Sequence, residues 1–373
     1  MGIKKKILNT YEAIVSTLVV KPKAVIYLAK HKDLFKADSY FPEKKAHPTW
    51  KNFLIQLDQI CRFGAYEEYY FMYGYDVKDK KERDEYLNYR KFMQRRDLLN
   101  YEVNYHNVSC ILRDKLFFDI FAKALGIQTP SIVAFYADGK LHSTDRHFTD
   151  ITFEELAAIK DRSLFCKETN GQCGYGIFKL DIKGGKMFIG NEQVTGTELE
   201  NRISGSSYLF QEMVCQHEKM SDLYSGSINT IRLITIRSLT DNRIKVYPSI
   251  LRIGANGSFV DNTSQGGIAV GFNLETGQLN EYGFHKPQFG RRVKTHPNSG
   301  IKFSEFTIPF IKEAEEQAIY FHSMLTGLQS VGWDIAIGPD GPIFIEGNDN
   351  WEINGPQVGN HGMAAEIKEA FKI

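Results

Sequence analysis

Two textures of hydrophobic and polar positions meet near residue 105. Before it the chain reads as helical and lacks strand punctuation, with Pro42 and Pro48 separating an N-terminal helix pair from the tyrosine-rich segment beyond. Within 66–100, Tyr66, Tyr69, Tyr70, Tyr73, Tyr86 and Tyr89 stand at helix-compatible spacings. Aromatics so spaced are expected as core or interface. Beyond residue 108 the texture changes. An amphipathic helix is predicted at 114–125 with Gly126 as its stop, then a strand at 131–136 behind Pro130 and a turn at Asp138-Gly139. A helix at 153–160 and a strand at 163–167 follow. Glycine-punctuated strands come next at 174–182, 186–190, 207–214, 230–238, 246–253 and 268–273. A helix near 309–327 precedes a closing hairpin at 332–348. Strands with interspersed helices indicate an α+β or α/β enzyme.

Composition narrows the function classes. At about 100–200 residues per domain, 373 residues suggest two or three folding units. With 46 Lys and Arg against 45 Asp and Glu, the net charge of +1 excludes a nucleic-acid protein that relies on a global positive field. That balance conceals a split: residues 1–36 carry eight Lys/Arg and two Asp/Glu, a net +6, leaving −5 for the rest. The basic segment has too short an apolar run for a signal peptide or a membrane span, and Lys6 replaces the hydroxyl residue of a myristoylation signal. It is expected either to lean on an anionic membrane surface or to lie as a solvated helix on the protein's own body. Five cysteines without a Cys-x-x-Cys pair point to free thiols in a reducing cytoplasm.

The sharpest chemistry is in the closing hairpin. Folding it about Asp340 pairs 338 with 342, 336 with 344 and 334 with 346, so Asp334 and Glu346 face each other with Asn348 on the same side. Trp333, Ile335, Ile337, Ile343 and Ile345 would then form the buried face. Two opposed carboxylates repel, and a divalent cation removes the conflict. Two carboxylates and an amide oxygen are a hard donor set suited to Mg²⁺ with phosphate oxygens. Upstream, Lys167 leads into a loop with Gly171, Gly174 and Gly176, where backbone N–H groups and an ammonium suit phosphate. Lys115, at the start of the 114–125 helix, adds a second cation.

In this order the motifs resemble the ATP-grasp superfamily. Arg113-Asp-Lys115 through Pro130 is similar to its opening helix and strand, and Lys167 with its glycines to its second phosphate lysine and lid loop, although Glu168 replaces the usual proline. Phe210-Gln211-Glu212-Met213-Val214 resembles the strand and hinge that hold adenine, and Glu218 falls where a ribose-binding acid often stands. Asp334, Glu346 and Asn348 match the metal triad. Asn229-Thr-Ile-Arg232 and Arg252…Phe259-Val-Asp-Asn262…Gly266-Gly267 resemble the ligases that add glutamate tails. Those matches make Arg232 and Arg252 candidates for gripping the γ-phosphate and an acyl-phosphate. The front end, with His296-Pro-Asn-Ser-Gly300, resembles the branch associated with sugar transfer and surface-polysaccharide clusters.

The resemblance implies an α+β ATP-grasp fold over 106–373, with a lid subdomain about 162–212, behind a helical region 1–105. It implies ATP with Mg²⁺, two ions expected, and small-molecule acid and amine substrates, one of them sugar-linked. It further implies an ADP-forming ligase that makes a C–N bond through an acyl-phosphate, with no nucleic acid involved. Two alternatives stay open: a small-molecule kinase on the same scaffold, or a nucleotide-binding component of a glycan-assembly complex without turnover. No general base is identifiable; His217, His285 and His296 are available.

Overall fold

The computed structural model describes residues 16–102, 108–144, 148–171 and 176–372. Among them two antiparallel sheets carry the architecture. The first contains β1 (Ile132–Ala137), β2 (Lys140–Ser143), β3 (Thr149–Ile151), β4 (Arg162–Glu168), β5 (Phe178–Lys183), β6 (Lys186–Ile189), β7 (Glu192–Val194) and β8 (Tyr208–Glu212). Its order is β3-β2-β1-β8-β4-β5-β6-β7. The second contains β9 (Thr230–Arg237), β10 (Ile244–Ile253), β11 (Ile268–Phe272), β12 (Leu279–Phe284), β13 (Arg292–Val293), β14 (Ser330–Gly338) and β15 (Gly341–Asn348). Its order is β13-β12-β11-β10-β9-β14-β15.

The two sheets bury their faces differently. Along β5, Phe178, Leu180 and Ile182 turn inward while Lys179 and Lys183 stay in water, the alternation of a sheet covered on one face. Leu164, Cys166 and Phe210 join them in a core closed by Leu156 and Leu199 from two flanking helices. In contrast, every residue of β14 is buried. The helix Ile311–Met324 covers one face, with Phe321 against Trp333. The other face meets Trp351, the C-terminal helix Ala364–Phe371 and Phe92 of the front-end helix Tyr89–Asp97. Burying each large side chain of this kind contributes about 1.5–3 kcal/mol. The front end therefore shares the second sheet's core.

Three expectations change. The tyrosine spacing predicts helix through 66–73, but the helix Thr49–Phe63 ends on Gly64 in the left-handed conformation, and 68–77 is a run of turns. Gly74, also at positive φ, is where the Phe41 ring comes within 2.7 Å of a would-be Cβ, so the chain turns there rather than continuing a helix. In the closing hairpin, Asp334 does face Glu346, but the turn holds only Pro339 and Asp340, pairing 338 with 341 and 335 with 344. An irregularity between Asp334 and Ile335 restores the acid pair. Consequently Phe344 joins Trp333, Ile335 and Ile337 in one cluster, while Ile343 is buried outside that cluster and Ile345 is half-buried.

Four cysteines, Cys61, Cys110, Cys166 and Cys215, are free thiols. Cys173 and the predicted phosphate-loop Gly174 lie outside the described residues.

Candidate active site

A cleft of about 1050 Å³ runs between the two sheets. One wall comes from β4, β8 and the segment that follows β8, presenting Lys167, Gln211, Glu212, Met213 and Val214. The opposite wall comes from β9, β10, β14 and β15, presenting Arg232, Arg252, Asp334, Glu346 and Asn348. Lys115 closes one end.

Each charged group is placed by its element. Asp114 caps the helix Lys115–Ala124 by accepting from the N–H groups of Leu116 and Phe117. That start is pinned to the end of β4 by the Lys115 N–H, which donates to Thr169 O at 3.0 Å. Lys115 Nζ donates to Gly171 O at 2.6 Å and stands 4.0 Å from Glu346 Oε2. Lys167 sits on β4 and is 5% exposed. Burial pushes its ammonium down to about 8, opposed by Glu346 and reinforced by the like charge of Lys115.

Asp334 is the hub. It lies opposite Arg232 of β9 in the sheet, and its Oδ1 accepts from Arg232 Nε. Oδ2 accepts from Arg232 at 3.0 Å and from Arg252 at 2.8 Å. Burial alone would raise this carboxyl, but the two guanidiniums outweigh it and hold it at about 2. Arg252 is in turn held by Thr230 Oγ1 at 2.7 Å and lies 3.5 Å from Asp261 Oδ2. Asp261 also accepts from the Thr230 N–H at 3.0 Å and from its hydroxyl. The result is a chain of alternating charge: Asp261, Arg252, Asp334, Arg232.

Two points differ from the reading of the sequence. From the hairpin alone, the Asp334–Glu346 conflict needs a cation; in the fold, arginines from β9 and β10 already compensate Asp334. Thr230 and Asp261 join the charged cluster, and the sequence does not single them out. Asp261 stands inside the 259–262 motif, but its contact with Arg252 depends on the β9–β10 register, which the motif does not reveal.

The remaining assignments separate. Gln211 is buried at the end of β8, while Met213 is 44% exposed on the cleft wall. The Glu212 side chain pairs with Lys160 at 3.0 Å and Arg162 at 3.4 Å. Glu218 is exposed at the start of the helix Glu218–Leu223 and stands outside the residues that line the cleft. The histidines serve the framework. His217 caps that helix by accepting from the Lys219 N–H, and His296 is buried against Gly254 O at 2.8 Å. Burial lowers the basicity of both His285 and His296.

The sequence model of the family described as sugar-transfer associated ATP-grasp matches residues 94–371. The chain belongs to the sugar-transfer associated ATP-grasp family. The ATP-grasp fold accounts for the two sheets and for a cleft between them that gathers cations at one end. Among solved structures, the chain is similar to N5-carboxyaminoimidazole ribonucleotide synthetase from Thermotoga maritima, at 16% identity over 74% of this chain and 55% of that one, with a TM-score of 0.40. An L-amino acid ligase from Bacillus licheniformis shows 13% identity over 71% and 49%, TM-score 0.38. The VanG D-Ala:D-Ser ligase from Enterococcus faecalis shows 14% over 71% and 63%, TM-score 0.41. This chain thus spans between about half and two-thirds of the length of those proteins. No curated protein matches it.

Among the described residues no group of three or more His, Cys, Asp and Glu side chains is placed to hold a metal. Glu346 faces the cleft with its side chain 30% exposed, and its Oε1 accepts from Asn348 Nδ2 at 3.3 Å. Glu346 and the Asn348 amide oxygen are hard donors that suit a divalent ion, whereas both Asp334 oxygens are engaged by Arg232 and Arg252.

Proposed function

We propose that this ATP-grasp protein is an ATP-dependent carboxylate–amine ligase that forms a C–N bond. The observation that carries the reading is the Arg232–Asp334–Arg252 cluster beside Lys115, Lys167, Glu346 and Asn348 at one end of a roomy cleft. Lys115 and Lys167 would meet the phosphates, while Gln211, Met213 and Val214 would contact the base. Glu346 and Asn348 would hold Mg²⁺, with Asp334 joining them by giving up a guanidinium hydrogen bond, and the ion when bound supplies charge compensation to the phosphates. A substrate carboxylate oxygen attacks the γ-phosphorus, the bridging P–O bond breaks, and ADP leaves. An amine nitrogen then attacks the acyl carbon, the C–O bond to phosphate breaks, and the nitrogen loses a proton. Arg232 and Arg252, whose Nε and Nη2 groups donate to Asp334 and Thr230, would turn their Nη1 donors to the oxyanions formed in both steps. We assign catalysis to 106–373, with 162–212 as the lid half that excludes water from the acyl-phosphate.

The substrates in this proposal are an amino acid and a sugar or sugar acid of a surface-polysaccharide precursor, handled in the cytoplasm. No described helix is long and apolar enough to cross a membrane. We propose peripheral membrane contact through the basic N-terminal segment, whose residues 1–15 lie outside the described residues and whose Lys23 and Lys30 stand beside exposed Leu18, Val20 and Ile26. Failure to sediment with anionic vesicles would remove that contact. For the reaction itself, incubation with ATP, Mg²⁺ and candidate acid and amine pairs should release ADP and phosphate only when both acceptors are present, with the amide seen by mass spectrometry. ADP with a phosphorylated small molecule and no amide would instead make the protein a kinase.

A further inference from the structure

The front end supplies part of the cleft wall although 16–93 lies outside the region matched by the family. Tyr69 and Met72, from the turns at 68–77, line the cleft together with Glu352 and Asn354. Glu352 and Asn354 belong to the segment that leaves β15 at Asn348 and lines the cleft from Asn348 through Glu352. Glu352 is four residues from Asn348, so the two lie within about 14 Å along the backbone.

This wall is firmly braced. Glu67 is wholly buried, and its two carboxyl oxygens accept one backbone N–H each, from Tyr69 and from Tyr89, both at 3.0 Å. Gln56 holds the Glu67 backbone from both sides, accepting its N–H at 2.8 Å and donating to its carbonyl at 3.0 Å. A buried carboxyl is costly unless hydrogen-bonded, and here its hydrogen bonds fix two tyrosines beside the cleft. The rings of Tyr69 and Tyr89 stack edge to face at 5.0 Å, and Tyr89 donates its hydroxyl to Glu352 Oε1 at 2.7 Å. Among the described residues no lysine, arginine or histidine pairs with Glu352.

We propose that Tyr69, Met72, Asn354 and Glu352 bind the sugar moiety of the substrate, and that this moiety is an amino sugar. A pyranose ring has an apolar C–H face, matched by Tyr69 and Met72, and a hydroxyl edge, matched by a carboxylate and an amide. Glu352 lacks a cationic partner, so its charge favours an ammonium on the ring and disfavours a uronate. This rests on the ligase reading and selects, among its substrates, the amine-bearing sugar over the sugar acid. A free amino acid would need a cation for its carboxylate as well as Glu352 for its ammonium.

Saturation-transfer NMR on the full chain tests it with glucosamine, N-acetylglucosamine, glucuronate and glutamate as probes. Glucosamine should bind best, with N-acetylglucosamine and glucuronate weaker by about tenfold or more, the worth of one charge-assisted hydrogen bond. Glu352 is exposed, so E352Q keeps the fold; it should cost about tenfold in glucosamine affinity, and Tyr69→Ala should weaken every sugar probe. Equal glucosamine binding by wild type and E352Q overturns the proposal, as does glucuronate binding as tightly as glucosamine, or no sugar binding by the folded protein. Binding is read without turnover. Its failure therefore leaves amide formation standing, whereas ADP release without amide sinks the ligase reading and leaves sugar binding in place.

Discussion

Asp334 and Glu67 are both buried carboxyls, 3% and 0% exposed, and their surroundings move them in opposite directions. Glu67 is raised to about 8, first by burial and only partly offset by the N–H groups of Tyr69 and Tyr89. Asp334 is held at about 2 because Arg232 and Arg252 overcome the same burial penalty. Dipoles from two amides do not replace two guanidiniums. The charged end of the cleft therefore concentrates ionised groups, whereas the tyrosine-rich end holds shape around a carboxyl whose charged form burial disfavours.

The largest expected effect comes from removing the hub. D334N leaves Arg232 and Arg252 without their shared carboxylate, so ADP release should vanish and stability should fall by about 3 kcal/mol, read by urea denaturation. An unchanged denaturation midpoint would show that the arginine lattice does not form. E346Q, at a partly exposed site, should abolish turnover with little change in stability, which separates the catalytic from the structural effect. At the other end, Glu67→Ala strands two buried N–H groups and should cost about 2–4 kcal/mol in stability. Its melt should also lose a pH dependence. With a folded pKa of about 8 against an ordinary 4.5, native Glu67 binds more protons than the unfolded chain between those values. Its contribution is thus full below about pH 4.5 and is lost as pH rises through about 8.

Lys167 sharpens the contrast through pH. Burial lowers it to about 8, so the free protein holds it partly deprotonated near that pH. A bound phosphate favours the ammonium, so calorimetry of AMP-PNP binding in buffers of different ionisation heat should detect proton uptake near pH 8, with affinity falling above it. K167R should flatten that profile, and an unaltered profile would remove Lys167 from phosphate contact. The smallest catalytic effect is expected for D261N, which loosens Arg252 without touching substrate. A several-fold fall in kcat with KM for ATP unchanged, and partial rescue in D261E, would mark it as a positioning residue.

Legibility tracks the range of the interactions. The hairpin acids, the Asp114-capped helix with Lys115 and the strand bearing Lys167 are readable because alternation, turn residues and caps act within a few positions. The tyrosine turns at 68–77 mimic a helix because tyrosines at spacings of three and four also fit a compact cluster around Glu67, whose partners lie 11 and 22 residues away. Spacing from Val214 points Glu218 at a ribose, yet an intervening cap at His217 turns it to solvent.

By itself the sequence determined an α+β chain with a helix-rich front end, one acid-bearing hairpin and two lysines upstream of it. Those features follow from local periodicity and from residue types that have few other uses. Only the tertiary structure decided that Asp334 belongs to two arginines, that Asp261 stands behind Arg252, and that the front end faces the cleft through Tyr69 and Met72. The first two depend on which strands become neighbours and on charges compensated across the sheet, the third on how the turns at 68–77 pack, and none is written in the spacing of any one segment.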